Sequence, residues 1–178
     1  MDGHPYKDMP HLTRSAEWVV AFTPYRGQSF LKRWFLPAQF GHVWAFTEVQ
    51  GESVIFDPYN GGYFMAATHG TPTTQVQSGL GVTPAVLASA LLREGGVHLL
   101  RYKARIPRLK GHVANYVPNC VTMVKLLLGV RVAAFTPRGL YKALLKQGAE
   151  PLNEVTITQF LAADQARRSE RILQTLNQ

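Results

Sequence analysis

The chain has 178 residues, 46% hydrophobic and 17% charged, which suits one compact domain with a sizeable core and leaves too little chain for two. Its single cysteine, Cys120, excludes an intramolecular disulfide framework and a multi-thiolate zinc site. Nineteen Lys and Arg against eleven Asp and Glu, a formal charge of +8, favour anionic partners and say nothing about fold.

Residues 1–15 lack the apolar run of a secretory signal. The most apolar stretch, 126–135, is ten residues long and contains Arg131, against the ~20 apolar residues of a membrane span. The sequence therefore predicts a soluble chain with no signal peptide and no membrane span, cytoplasmic or virion-associated.

In chain order, 16–22 reads as a buried strand through Trp18, Val19, Val20 and Phe22, closed by Thr23-Pro24. Phe30, Leu31, Trp34 and Phe35 repeat at helical spacing over 28–35, ahead of Pro37. The β-branched and aromatic runs 41–49 and 53–57, split by Gln50-Gly51-Glu52, predict an antiparallel hairpin. Pro58-Tyr59-Asn60-Gly61-Gly62 is turn chemistry, with a short strand over 63–67 and a polar segment over 71–81 after it.

Thr83-Pro84 predicts a helix opening, with Val86, Leu87, Ala90 and Leu91 on one face and Gly95-Gly96 as the stop. Residues 97–106 alternate as a strand, His98, Leu100, Tyr102 and Ala104 on one face and Leu99, Arg101, Lys103 and Arg105 on a wet, basic one. Asn119 is a cap for a helix ending at Gly129, and Thr136-Pro137 opens another that Gly148 closes. A last helix is predicted over 158–176, with Phe160, Leu161, Ile172, Leu173 and Leu176 apolar and Arg167, Arg168 and Arg171 exposed. The organisation read from this is a domain over 1–150 and a helical C-terminal extension over 151–178.

The chemistry centres on Cys120, placed in the first turn of its helix. A thiol of pKa ~8.5 is barely ionised at neutral pH, and only the thiolate attacks a carbonyl. A helix start offers the positive end of the dipole and unpaired backbone amides that can bind an oxyanion. By position alone, a cysteine between Val117 and Val121 equally reads as a small buried hydrophobe. A nucleophile also needs a base. His42 opens the hairpin, where a sheet would hold its ring, although a strand histidine can be purely structural. With the turn at Gly51, Asp57 falls opposite 44–46, near enough to orient His42. Asp57-Pro58 is also an ordinary turn start, and Asn60 is the orienting alternative. His112, eight residues before Cys120, is a rival base.

Gly41-His42-Val43-Trp44-Ala45-Phe46, followed far downstream by Asn119-Cys120-Val121-Thr122-Met123-Val124 and a Leu-Leu-Gly-Val ending at Val130, resembles the circularly permuted papain-like group. That group includes the permuted NlpC-type cysteine peptidases and the lecithin:retinol acyltransferase-like proteins. Its order, a strand histidine, a polar residue on the next strand and then Asn-Cys at a helix start, matches His42, Asp57 and Cys120 across roughly 18–128. The resemblance implies that Cys120 is the nucleophile, His42 the base and Asp57 the orienting residue. The acyltransferase branch carries Glu-His-Phe after its cysteine and a histidine as third residue, where this chain has Val121-Thr122-Met123 and Asp57. The peptidase or amidase branch is therefore the closer fit.

The expectation is an α+β, permuted papain-like domain, its small, mostly antiparallel sheet packed on the helix that begins at Cys120. Its expected activity is hydrolysis of a peptide or cell-wall amide through an acyl-enzyme, with the amides at the Cys120 helix start, and Asn119, holding the oxyanion. No cofactor is implied. Arg101, Lys103, Arg105, Arg108 and Lys110 form a basic run suited to nucleic acid, an acidic polymer or an acidic protein, or to a solvated strand face. The competing class is a non-catalytic module of a bacterial or bacteriophage assembly, such as a virion or tail, docking through that face. His69 and His98 lack companions at metal-ligand spacing, and Gly61-Gly62 is no phosphate loop.

Overall fold

The computed structural model describes residues 16–24, 40–49, 52–58, 64–67, 83–104 and 119–176. Their strands are β1 (Ala16–Thr23), β2 (His42–Val49), β3 (Glu52–Asp57), β4 (Phe64–Ala67), β5 (His98–Ala104) and β6 (Glu150–Leu152). The helices are α1 (Pro84–Glu94), α2 (Cys120–Leu128), α3 (Pro137–Lys146) and α4 (Glu154–Leu176). The fold is α+β, and the strands form one sheet in the order β4-β3-β2-β1-β5-β6. Every neighbouring pair is antiparallel.

Alternation along the two central strands gives the sheet two buried faces. Val20, Phe22, Val43, Ala45, Phe56 and Leu100 face one core, filled by Val121, Val124 and Leu128 of α2 and Leu140 and Leu144 of α3. Val19, Ala21, Phe46 and Leu99 face the other, covered by Ala85 and Ala88 of α1 and Ile157 and Phe160 of α4. Helices therefore cover both faces, which is why β1 reads as a continuous apolar run rather than an alternating one.

This second layer corrects the expectation of a wet, basic face on β5. Leu99 is buried, and the Arg101 guanidinium lies 5.6 Å from the Phe160 ring centroid; Lys103 alone among the described residues of that face is exposed. The segment expected as a C-terminal extension is likewise part of the core. Leu152 pairs with Leu99 across β5 and β6, and Ile157 and Phe160 are buried on the inner face of α4. Strand β6 was not expected because it is three residues long with a central proline, tolerated at a sheet edge where the missing N–H faces outward.

Helix α4 begins at Glu154, four residues ahead of expectation, because Asn153 caps it through bonds from the Val155 and Thr156 amides, each 3.0 Å. Leu173, expected in its apolar set, is exposed. Arg168, expected in solvent, is partly buried against Asp164. Helices α1 and α3 open as their Thr-Pro signatures predict, Thr83 Oγ1 accepting from Val86 N and Thr136 Oγ1 from Gly139 N, each at 3.1 Å. The helix expected over 28–35, Asn60, the polar segment 71–81, His69, His112, Arg105, Arg108 and Lys110 lie outside the described residues.

Candidate active site

His42 is the first residue of β2 and Asp57 the last of β3, so the antiparallel pairing of these strands sets both at one end of the sheet. Ala45 pairs with Phe56, which continues to Trp44 opposite Asp57 and leaves the carboxylate one side-chain step from His42. His42 Nε2 meets Asp57 Oδ1 at 2.6 Å. An ionised carboxylate only accepts, so Nε2 carries the proton and donates it. That fixes the tautomer: a neutral His42 presents Nδ1 as a lone-pair acceptor, and a charged one donates from both nitrogens.

Cys120 opens α2 above this end of the sheet. Asn119 has extended backbone and forms a reciprocal cap, its Oδ1 accepting from Thr122 N at 2.9 Å while Thr122 Oγ1 accepts from Asn119 N at 3.0 Å. The cap determines where the helix starts, and Val121, Val124 and Leu128 press its buried face onto β1 and β2. Cys120 is thus held at a fixed height over the strand that carries His42.

The thiol and the imidazole are electrostatically coupled, each shifting the other toward its charged form. Burial pushes the Cys120 thiol up, but the hydrogen bond with His42, the backbone amides of Val43 and Val121 and the charge of the imidazolium outweigh it, and the net shift is downward. Burial likewise presses the His42 pKa down, yet the hydrogen bonds with Cys120 and Asp57 and the charges of both carry it above the ordinary histidine value. The three side chains form one relay, Asp57 to His42 to Cys120, at a site partly open to solvent: His42 is 23% exposed and Asp57 34%. Asp57 and Cys120 favour the charged form of His42, and His42 favours that of Cys120, which is the polarity a thiolate nucleophile requires.

The first turn of α2 contributes donors as well. Thr122 N is taken by the cap, Met123 N bonds Asn119 O, and Val121 N points to the sulfur. Cys120 N belongs to the same first turn, where backbone amides have no acceptor within their own helix. Asn119, expected as an oxyanion or orienting group, spends its side-chain oxygen on the helix cap, which leaves only its Nδ2 to donate. The Val43 amide was not anticipated from sequence, since a backbone donor has no residue signature.

The remaining expected residues lie elsewhere. Arg101 is ion-paired through Nη2 and Nε with Glu150 Oε2, the Nε contact being 3.1 Å, and Lys103 is exposed on the same strand. Among the described residues no group of three or more His, Cys, Asp or Glu could hold a metal ion. No helix among them is long and apolar enough to cross a membrane. No family model, curated protein or solved structure matches the chain.

Proposed function

We propose that this chain is a cysteine-dependent amide hydrolase of the permuted papain-like kind, acting on a peptide or cell-wall peptide bond. The observation that carries the reading is the His42–Asp57 contact at 2.6 Å set beside a thiol at a capped helix start, the imidazole and the thiol coupled to one another. A buried cysteine kept only for packing would have no need of an imidazole, a carboxylate and two backbone amides directed at it. The chain order, His42 and Asp57 on consecutive strands and Cys120 downstream on a helix, also agrees with the permuted arrangement.

In the first step the Cys120 sulfur attacks the amide carbon, a C–S bond forms, and the carbonyl π pair moves to oxygen, where the Cys120 N–H meets it. The His42 imidazolium, held by Asp57, gives its proton to the leaving nitrogen as the C–N bond breaks. The amine departs and an acyl-enzyme remains. His42, now neutral, takes a proton from water, which attacks the thioester carbon. Collapse of that intermediate breaks the C–S bond and releases the acid, leaving the Cys120 thiolate beside the His42 imidazolium that took its proton from the water.

The test is Cys120→Ser assayed in parallel for stability and for hydrolysis of peptides and peptidoglycan fragments. The reading expects turnover to fall to background with the melting temperature nearly unchanged, because oxygen for sulfur is a small change in volume. A parent inactive on every substrate, with a variant destabilised by the ~1–3 kcal/mol of a hydroxyl buried without a partner, would support the assembly module instead.

A further inference from the structure

The charge of the chain is segregated along its length. Gly95 to Ala149 holds ten Lys and Arg and no Asp or Glu, so this stretch carries more positive charge than the whole chain's +8 and the remainder is slightly acidic. Asymmetry of this kind is the usual footprint of a polyanion-binding surface.

Within that stretch, α3 turns its cations outward in a regular row. Arg138, Lys142 and Lys146 recur every fourth residue and all three are exposed, so they form one stripe about 12 Å long. None of the ion pairs among the described residues uses them. The other face of the same helix is buried in the core through Leu140 and Leu144.

Phe135 stands at the head of the stripe. It precedes the cap Thr136, a position whose apolar side chain commonly packs onto the fourth helical residue, here the fully buried Leu140. Phe135 is instead 78% exposed. Lys125 of α2 fixes the surroundings of the ring, its Nζ donating to Ala134 O at 3.2 Å and lying 5.8 Å from the Phe135 centroid. A large ring held in water beside a cation offers a stacking face with a phosphate contact next to it.

We propose that the outer face of α3, together with Phe135 and Lys125, binds a single-stranded nucleic acid, its phosphates along Arg138, Lys142 and Lys146 and one base stacked on the Phe135 ring. The cations set the track of the backbone, and the ring favours an unpaired base, whose face is free, over a duplex. A bilayer fits less well, since lipid binding scales with buried apolar area and α3 has already buried its apolar face in the core. An acidic peptide matches the cations alone. The surface shares no residue with the relay and goes beyond the hydrolase reading.

The experiment is fluorescence anisotropy of the full chain with a labelled thymidylate dodecamer over a range of salt. The strand should bind with a steep salt dependence. Arg138→Gln, Lys142→Gln and Lys146→Gln should each reduce the slope of log affinity against log salt by ~0.7 with unchanged circular dichroism. Phe135→Ala should weaken binding about tenfold and leave that slope in place. Arg93→Gln removes the same charge from an exposed position on α1, which covers the other face of the sheet, and should leave the slope unchanged. An Arg93→Gln effect equal to those on α3, a Phe135→Ala variant that binds as tightly as the parent, or displacement of the strand by polyglutamate or by phosphatidylglycerol vesicles at a lower concentration of charge would overturn the proposal. Cys120→Ser should bind as the parent does, so failure of the hydrolase reading and failure of this surface give different results.

Discussion

Asp57→Asn isolates one charge of the relay and leaves its shape intact, because the asparagine oxygen can still accept from His42 Nε2. In the parent the two groups touch at 2.6 Å, which places their charge centres ~4 Å apart, and at an effective dielectric constant of ~20 that attraction is about 4 kcal/mol. With Asp57 34% exposed and His42 23% exposed, solvent screening reduces the useful part to about 1–2 kcal/mol. At 1.36 kcal/mol per unit, the His42 pKa should fall by about one unit, and the Cys120 pKa should rise as its imidazolium partner is depleted. The assay is an NMR titration of the His42 ring proton, with iodoacetamide rates reporting the thiolate over the same pH range. The stability consequence has a definite sign. His42, raised in the folded state, contributes stability that is fully present below ~6.5 and lost as pH rises through its folded value. Asp57→Asn should therefore destabilise most between pH ~5 and ~6.5 and progressively less above. A His42 midpoint that stays within ~0.3 units, or a stability loss that grows with pH, would refute the relay as described.

Alkylation of Cys120 in the parent should show a midpoint below ~8.5, from the downward shift of its thiol, and His42→Ala should slow the reaction near neutral pH while His112→Ala should not. Asn119→Ala removes the acceptor for Thr122 N and should cost about 1 kcal/mol in chemical denaturation while slowing alkylation, since the helix start that holds the sulfur loosens. Phe160→Ala should cost ~3–5 kcal/mol, because α4 buries the ring in the core against the sheet. For the same reason a chain ended at residue 152 should lose its cooperative thermal transition, whereas an independent C-terminal extension would leave that transition in place.

Much of the architecture could be read directly because several signals were local. Thr83-Pro84, Thr136-Pro137 and Asn119 each name a helix start by their own capping chemistry, and each is used as such. The hairpin register followed from the two runs around Gly51, and it is this register that brings Asp57 to His42. What escaped was tertiary. Period-two alternation on β5 shows which residues share a face but not whether a helix covers it, so Arg101 and Lys103 read as one solvated row when α4 in fact lies over Arg101. Strand β6 exists only because β5 offers an edge to pair with, and three residues around Pro151 carry no periodicity to announce it.

The most direct measurement is intact-protein mass spectrometry after brief exposure to p-nitrophenyl acetate at neutral pH, on the parent, Cys120→Ser and His42→Ala. The account predicts one acetyl group on Cys120 of the folded parent, formed together with a burst of nitrophenol and then lost by hydrolysis, with slower formation in His42→Ala and none at this position in Cys120→Ser. A parent that acquires no adduct while folded, or one whose acetyl group sits on another residue and is unaffected by His42→Ala, would contradict Cys120 as the nucleophile.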